Sequence, residues 1–137
     1  MIPNSNLTLY NKYIDPDTRD EVYQRTEIKD VVWTSAKAVY SANLGLVRAD
    51  VATVLIPFAM GTDYVAPIAW QALTTKTGKW TLQSGDVIVR GIVSDELEVG
   101  FSLTDLKATY ENVLVITNVD TFDQGSFNMR FWKVGAK

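Results

Sequence analysis

The sequence predicts a mainly β protein, a small antiparallel β-barrel or sandwich with one short helix and one long loop. Three observations carry that expectation. Val, Ile and Thr number 16, 8 and 14 of the 137 residues, and 15 aromatics raise the strand-favouring set to 53; these are the side chains that fit a pleated, half-buried surface. Apolar and polar residues alternate with period 2 over several short runs. One stretch alone carries helical spacing behind a capping residue.

The elements follow in order. Leu7–Tyr13 puts Leu7, Leu9, Asn11 and Tyr13 on one face of a strand. Asp15-Pro16-Asp17-Thr18 ends it in a turn, because Pro fixes φ and the Asp carboxylates can accept from nearby amides. Glu21–Ile28 alternates again, and Lys29-Asp30 is short enough to form a hairpin into Val31–Val39, although it lacks the Gly of the best hairpin turns. Residues 40–49 read as irregular, with Asn43 and Gly45 marking a bend. Val51–Ile56 is apolar on both faces, which suits a strand buried on both sides, and Pro57 stops it.

From Phe58 to Ser84 no period persists. Gly85-Asp86 then reads as a turn into Val87–Val93. Ser102 can cap a helix over 102–110, with Asp105 three residues on and Leu103, Leu106 and Tyr110 at helical spacing. Val113–Val119 and Phe127–Val134 close the chain as an antiparallel pair. Trp33, Val89, Val115, Phe131 and Trp132 are the expected core members. With no repeat, low-complexity tract or linker, residues 1–137 are expected to form one barrel-like domain.

Composition narrows the chemistry. There is no cysteine and no histidine, which removes disulfides, thiolate sites, Ser-His-Asp chemistry and HExxH zinc sites. No apolar run approaches the roughly 20 residues of a membrane span, and MIPNSNLTLYNKY has no basic start followed by an apolar core, so no secretion signal is expected. The net charge is −3. Residues 31–93 carry five basic and three acidic side chains, between acidic stretches on either side. That balance gives no long-range pull on nucleic acid and no polybasic hold on a membrane. Partners are expected to be proteins, another copy of the chain among them.

Candidate clusters are few. Asp15, Asp17 and Asp20 lack the Gly and distal Glu of a calcium loop, so they read as a solvated turn. Asp95, Glu96 and Glu98 have nothing in the sequence to raise one carboxylate above the others, as an acid/base pair requires. No Gly-rich phosphate loop is present. The reading is therefore of a protein that is not an enzyme, with no catalytic, cofactor-binding or metal-binding residue and no cofactor. What stands out is 58–80, an aperiodic segment far longer than usual connections that holds Phe58, Tyr64, Trp70 and Trp80. These aromatics either pin the segment onto the barrel or form an intersubunit contact, where Trp and Tyr are enriched. The segment is expected to serve assembly rather than the fold.

Four pieces of the chain carry a resemblance: LYNKYIDPDTRDEVYQRTEIKDVVW at 9–33, VATVLIP at 51–57, WTLQSGDVIVRG at 80–91 and VITNVDTFDQGSFNMRFWKV at 115–134. In this order they resemble the small head-to-tail connector proteins, of head-completion or stopper type, of long-tailed bacteriophages and prophages. The resemblance implies a β-barrel protomer with an extended loop, assembled as a homo-oligomeric ring between portal or adaptor and tail proteins. It also implies a virion component made in the bacterial host cytoplasm, with DNA passing through its channel without sequence-specific binding and no contact with a membrane. Other readings are a tail-completion or other minor structural protein of the same phage, or a monomeric carbohydrate- or ligand-binding β module with Tyr64, Trp70 and Trp80 as its stacking platform. An enzyme working through Asp95 and Glu98 ranks last.

Overall fold

The computed structural model describes residues 3–42, 45–60, 63–95, 97, 102–110, 113–126 and 129–137, with backbone alone for 35–42, 45–50 and Met60. The strands are β1 (Ser5–Ile14), β2 (Glu21–Ala42), β3 (Gly45–Pro57), β4 (Val87–Arg90), β5 (Val113–Phe122) and β6 (Phe131–Ala136). All neighbours are antiparallel, and the sheet closes into a barrel in the order β1-β2-β3-β6-β5-β4. Closure removes the unpaired edges that an open sheet would expose.

The alternation of β1 sets the two cores. Leu7 and Leu9 enter the barrel with Ile28, Val31, Trp33, Val54, Ile56, Ile88, Ile116, Trp132 and Val134. The opposite face of β1 is buried as well, since Thr8 and Tyr10 are fully covered. What covers it is a strap, described at residues 91–95, 97 and 102–110. Thr8 Oγ1 donates to the Gly91 carbonyl at 2.9 Å and accepts from the Val93 amide at 2.8 Å. Tyr10 Oη donates to the Asp95 carbonyl at 2.6 Å. A second apolar cluster of Tyr10, Val87, Val89, Val93, Leu97, Leu106 and Val113 fills the space beneath the strap.

The strap contains the expected helix, α2 (Leu103–Thr109), which buries Leu106. Its start is a capping box: Ser102 Oγ accepts from the Asp105 amide at 3.4 Å, and the Asp105 carboxylate accepts from the Ser102 amide at 3.0 Å. A second helix, α1 (Pro67–Gln71), was not expected. At five residues it is too short to show a period, and Pro67 occupies its first turn, where the missing amide costs nothing.

β4 stops at Arg90, short of the expected Val93, and the last strand spans Phe131–Ala136, not 127–134, Phe127 lying outside the described residues. Two further differences concern β2 and β3. The expected hairpin at Lys29-Asp30 is absent, because β2 runs unbroken from Glu21 to Ala42. A two-residue type I′ hairpin needs positive φ at both central residues, and only Asp30 has it, at 58°. The chain therefore bulges at that point, with the β1 register slipping between Ser5 and Leu7, and β2 passes from pairing β1 to pairing β3. Nor are residues 40–49 irregular as a whole: Ala42 pairs with Gly45, and the β2–β3 ladder runs without a break to Val32 and Leu55.

Of the expected core, Trp33, Val89 and Trp132 are buried. Val115 is half-buried against the strap cluster. Phe131 is half-buried too, because alternation along β6 sends Trp132 into the core and leaves Phe131 stacked on exposed Phe122 with ring centroids 4.9 Å apart. Among the described residues no helix is long and apolar enough to cross a membrane.

Candidate functional site

The segment 58–80 begins where Pro57 ends β3, with a 3-10 turn at Phe58–Met60, and returns along Trp80 to β4. Its aromatics divide into two groups. Phe58, Tyr64 and Trp80 converge on Trp132, with centroid separations from Trp132 of 4.3, 4.4 and 5.8 Å. Tyr64 and Trp80 also meet edge to face at 5.3 Å and form a parallel bridge. Burial pushes the Tyr64 phenol above its ordinary range, and the Thr81 hydroxyl opposes the shift. Trp70 lies apart from this group. It is fully buried on α1, donates its ring N–H to the Lys79 carbonyl at 3.1 Å and meets Tyr13 edge to face at 5.7 Å. The Lys76 ammonium stands 5.4 Å from the Trp70 ring and 5.0 Å from the Tyr13 ring, while donating to the Leu73 carbonyl at 2.8 Å.

These contacts amend the expectation that 58–80 serves assembly rather than the fold. Trp80 is a core member and Phe58 and Tyr64 pack against that core. Large aromatic surface next to a barrel interior gains more from burial there than from waiting exposed for a partner. Trp70 at 0% and Trp80 at 3% exposure also offer no open ring face on which a sugar could stack.

A polar knot outside the candidate residues ties the chain just after this segment, 81–86, to β1. Asp86 is 1% exposed. Its carboxylate accepts from Asn11 Nδ2 at 2.7 Å, from the Lys12 amide at 3.0 Å and from Gln83 Nε2 at 3.2 Å. Asn11 reaches onward, donating to the Thr81 carbonyl at 2.7 Å and accepting from the Thr81 amide at 3.2 Å. Burial raises the Asp86 carboxyl above the usual range, against the pull of the Lys12, Asn11 and Gln83 donors. The signal in the sequence is an Asp directly ahead of an apolar strand, a position that by itself reads as a turn.

The sign of this shift gives a measurable result. The folded chain holds the Asp86 proton more tightly than the unfolded chain does. The stability linked to it is therefore fully present below the unfolded pKa, near 3.9, and is lost as pH rises through the raised folded value. Asp86→Asn removes this titration and turns an NH₂ toward donors, so it should destabilise by about 1–3 kcal/mol. Unfolding free energies of both proteins across the carboxylate range check this: the wild-type advantage should grow as pH falls. An advantage that shrinks would reverse the assignment.

The carboxylate candidates are tied into structure. Asp15 Oδ1 accepts from the Asp17 amide at 2.8 Å and the Thr18 amide at 3.4 Å, as a turn should. Asp95 accepts from Tyr110 Oη at 2.5 Å and anchors the strap, and that bond raises the Tyr110 phenol. Glu96 and Glu98 lie outside the described residues. A surface cleft of about 640 Å³ lies between the β1–β2 turn and residues 71–77. Two of its polar side chains are engaged within the fold: Gln24 Nε2 donates to the carbonyls of Lys76 and Lys79, and Lys76 to that of Leu73. Among the described residues no three Asp or Glu side chains gather as a metal site.

The remaining feature is a ribbon. β1 pairs with β2 no further than Val31, and β6 pairs with β3 no earlier than Ala52. Among the described residues, the seven rows from Ala36↔Val51 to Ala42↔Gly45 are thus held by β2–β3 pairing alone. At about 3.4 Å per residue they extend some 24 Å along the strands. The ribbon and Phe58 lie at opposite ends of β3.

Fold and features together define a closed six-stranded antiparallel barrel that bears an outer helical strap and one projecting two-stranded ribbon. The chain belongs to the family of unknown function DUF6751, whose family model matches residues 2–137. No curated protein and no solved structure matches it.

Proposed function

We propose that this chain is a structural subunit of a tailed phage or prophage particle, a head-to-tail connector of the head-completion or stopper type that assembles as a ring between portal and tail. The observation that carries the reading is the ribbon: a closed barrel has no edge to share, whereas this one extends a two-stranded arm past its own sheet. The four resembling segments at 9–33, 51–57, 80–91 and 115–134 support the same reading. A ring subunit needs a rigid core and a contact surface, and no catalytic group. A net charge of −3 suits a channel through which DNA must pass without being held.

The test is genetic and visual. Removing the chain from the phage or prophage that encodes it should abolish infectious particles and leave filled heads without tails. Antibody labelling of complete particles should mark the head–tail joint. Undiminished titre in its absence, or label elsewhere on the particle, would overturn the proposal.

A further inference from the structure

The ribbon leaves two strand edges open. Beyond Trp33, whose backbone N–H and C=O are met by the Asn4 side chain at 2.8 and 3.2 Å, no described strand pairs with the outer edge of β2. No described strand pairs with the outer edge of β3 before Ala52. Open edges of this kind are templates for added strands, and a two-stranded ribbon by itself is marginal in water.

We infer that the occupant of both edges is the ribbon of a second copy, with β2 of one subunit set antiparallel against β3 of the next. This pairing rests on the ring-subunit reading and names its partner surface. The argument is one of matching. A single extended peptide could satisfy one edge and would leave the other open. A second ribbon offers the complementary edge in the antiparallel sense and then presents its own free edge to a third copy. Such head-to-tail contact closes into a ring when the rotation allows it.

Register adds a second match. Ala36, Ala38, Tyr40, Ala42, Gly45, Val47, Ala49 and Val51 share one ribbon face, which is free of charge. The other face carries Lys37, Arg48 and Asp50, with Lys37 directly opposite Asp50. Because side chains alternate along every strand, an in-phase pairing of copies continues both faces around the ring. One face of the composite sheet is then uncharged and the other charged.

The experiment uses the full chain, which has no native cysteine. In one variant residues 36–51 are replaced by Asn-Gly, joining the register partners Ser35 and Ala52 through a favoured hairpin turn. Light scattering should show the molar mass fall from that of the ring to that of a single shortened chain, below the 15.3 kDa of the native one, with the melting temperature of the barrel kept. In a second set, single-cysteine variants at Lys37, Val39 or Ser41 are mixed with variants at Leu46, Arg48 or Asp50 and oxidised. Disulfide-linked dimers should form in a mixture of a β2 variant with a β3 variant and not in either set alone. This second arm decides the matter if the shortened chain fails to fold. Rings that survive loss of the ribbon, or cross-links confined to β2 with β2, would overturn the pairing and leave the ring reading standing. A native chain that is monomeric both at high concentration and in particles would overturn both.

Discussion

Replacing residues 61–78 with a short Gly/Ser linker is expected to unfold the barrel, not merely to prevent assembly. The replacement deletes Trp70, which is fully buried, and Tyr64, which touches both Trp80 and Trp132. It also removes the Asp63 and Val65 backbone partners of Trp80 and the Gln71 side chain that donates to the Lys12 carbonyl at 3.1 Å. Loss of one buried Trp costs about 3–5 kcal/mol. Adding the Tyr64 contacts brings the loss into the range of the roughly 5–15 kcal/mol that holds a domain folded. The linker itself is not the difficulty, since each doubling of loop length changes closure entropy by only about 0.6 kcal/mol. Circular dichroism and a urea titration should show no cooperative transition. A linker variant that melts like the native chain would place the segment outside the core and restore it as a free assembly loop.

The second large effect is expected at Trp132. It is 5% exposed, and three aromatic rings, Phe58, Tyr64 and Trp80, lie against it. Trp132→Ala should cost about 3–5 kcal/mol through the cavity and the lost transfer free energy, with up to about 0.5–1.5 kcal/mol more for each aromatic pair. For a chain of this size that is a fall in melting temperature of about 10 °C or more. Trp132→Phe keeps an aromatic ring at the centre and should lose distinctly less. Equal losses for both variants would mean that the indole itself, and not aromatic volume at that position, holds the group together. A change within about 2 °C for Trp132→Ala would mean that the four rings do not form one packed group.

Local rules made much of the architecture legible. Ser102 and Asp105 lie three apart ahead of Leu106, and that spacing produces the capping box and α2 without help from distant residues. Leu7, Leu9 and Asn11 share a face because a strand has period 2, and all three are buried. The functional features were less legible. Whether Phe58, Tyr64 and Trp80 seek a partner or the chain's own interior depends on Trp132, more than fifty residues further on, and spacing within the segment carries no information about it. The Asp86 knot draws on Asn11 and Lys12 in the same way, and only pairing of β1 with β4 brings those two to Asp86.

The ribbon shows where the two kinds of information part. Composition and alternation by themselves determined that this chain is mainly β, where its N-capped helix lies and which face of β1 enters the core, because each is a property of neighbours within a few residues. The tertiary structure decided that Asp30 bends a strand instead of turning it, and that β2 and β3 run on as a pair past their other partners. The physical reason is that a hairpin and a bulge use similar residues, and the choice between them is made by the strand on the far side. At Asp30 that strand is β1, which takes up Val31 opposite Ser5 and holds β2 in line toward β3.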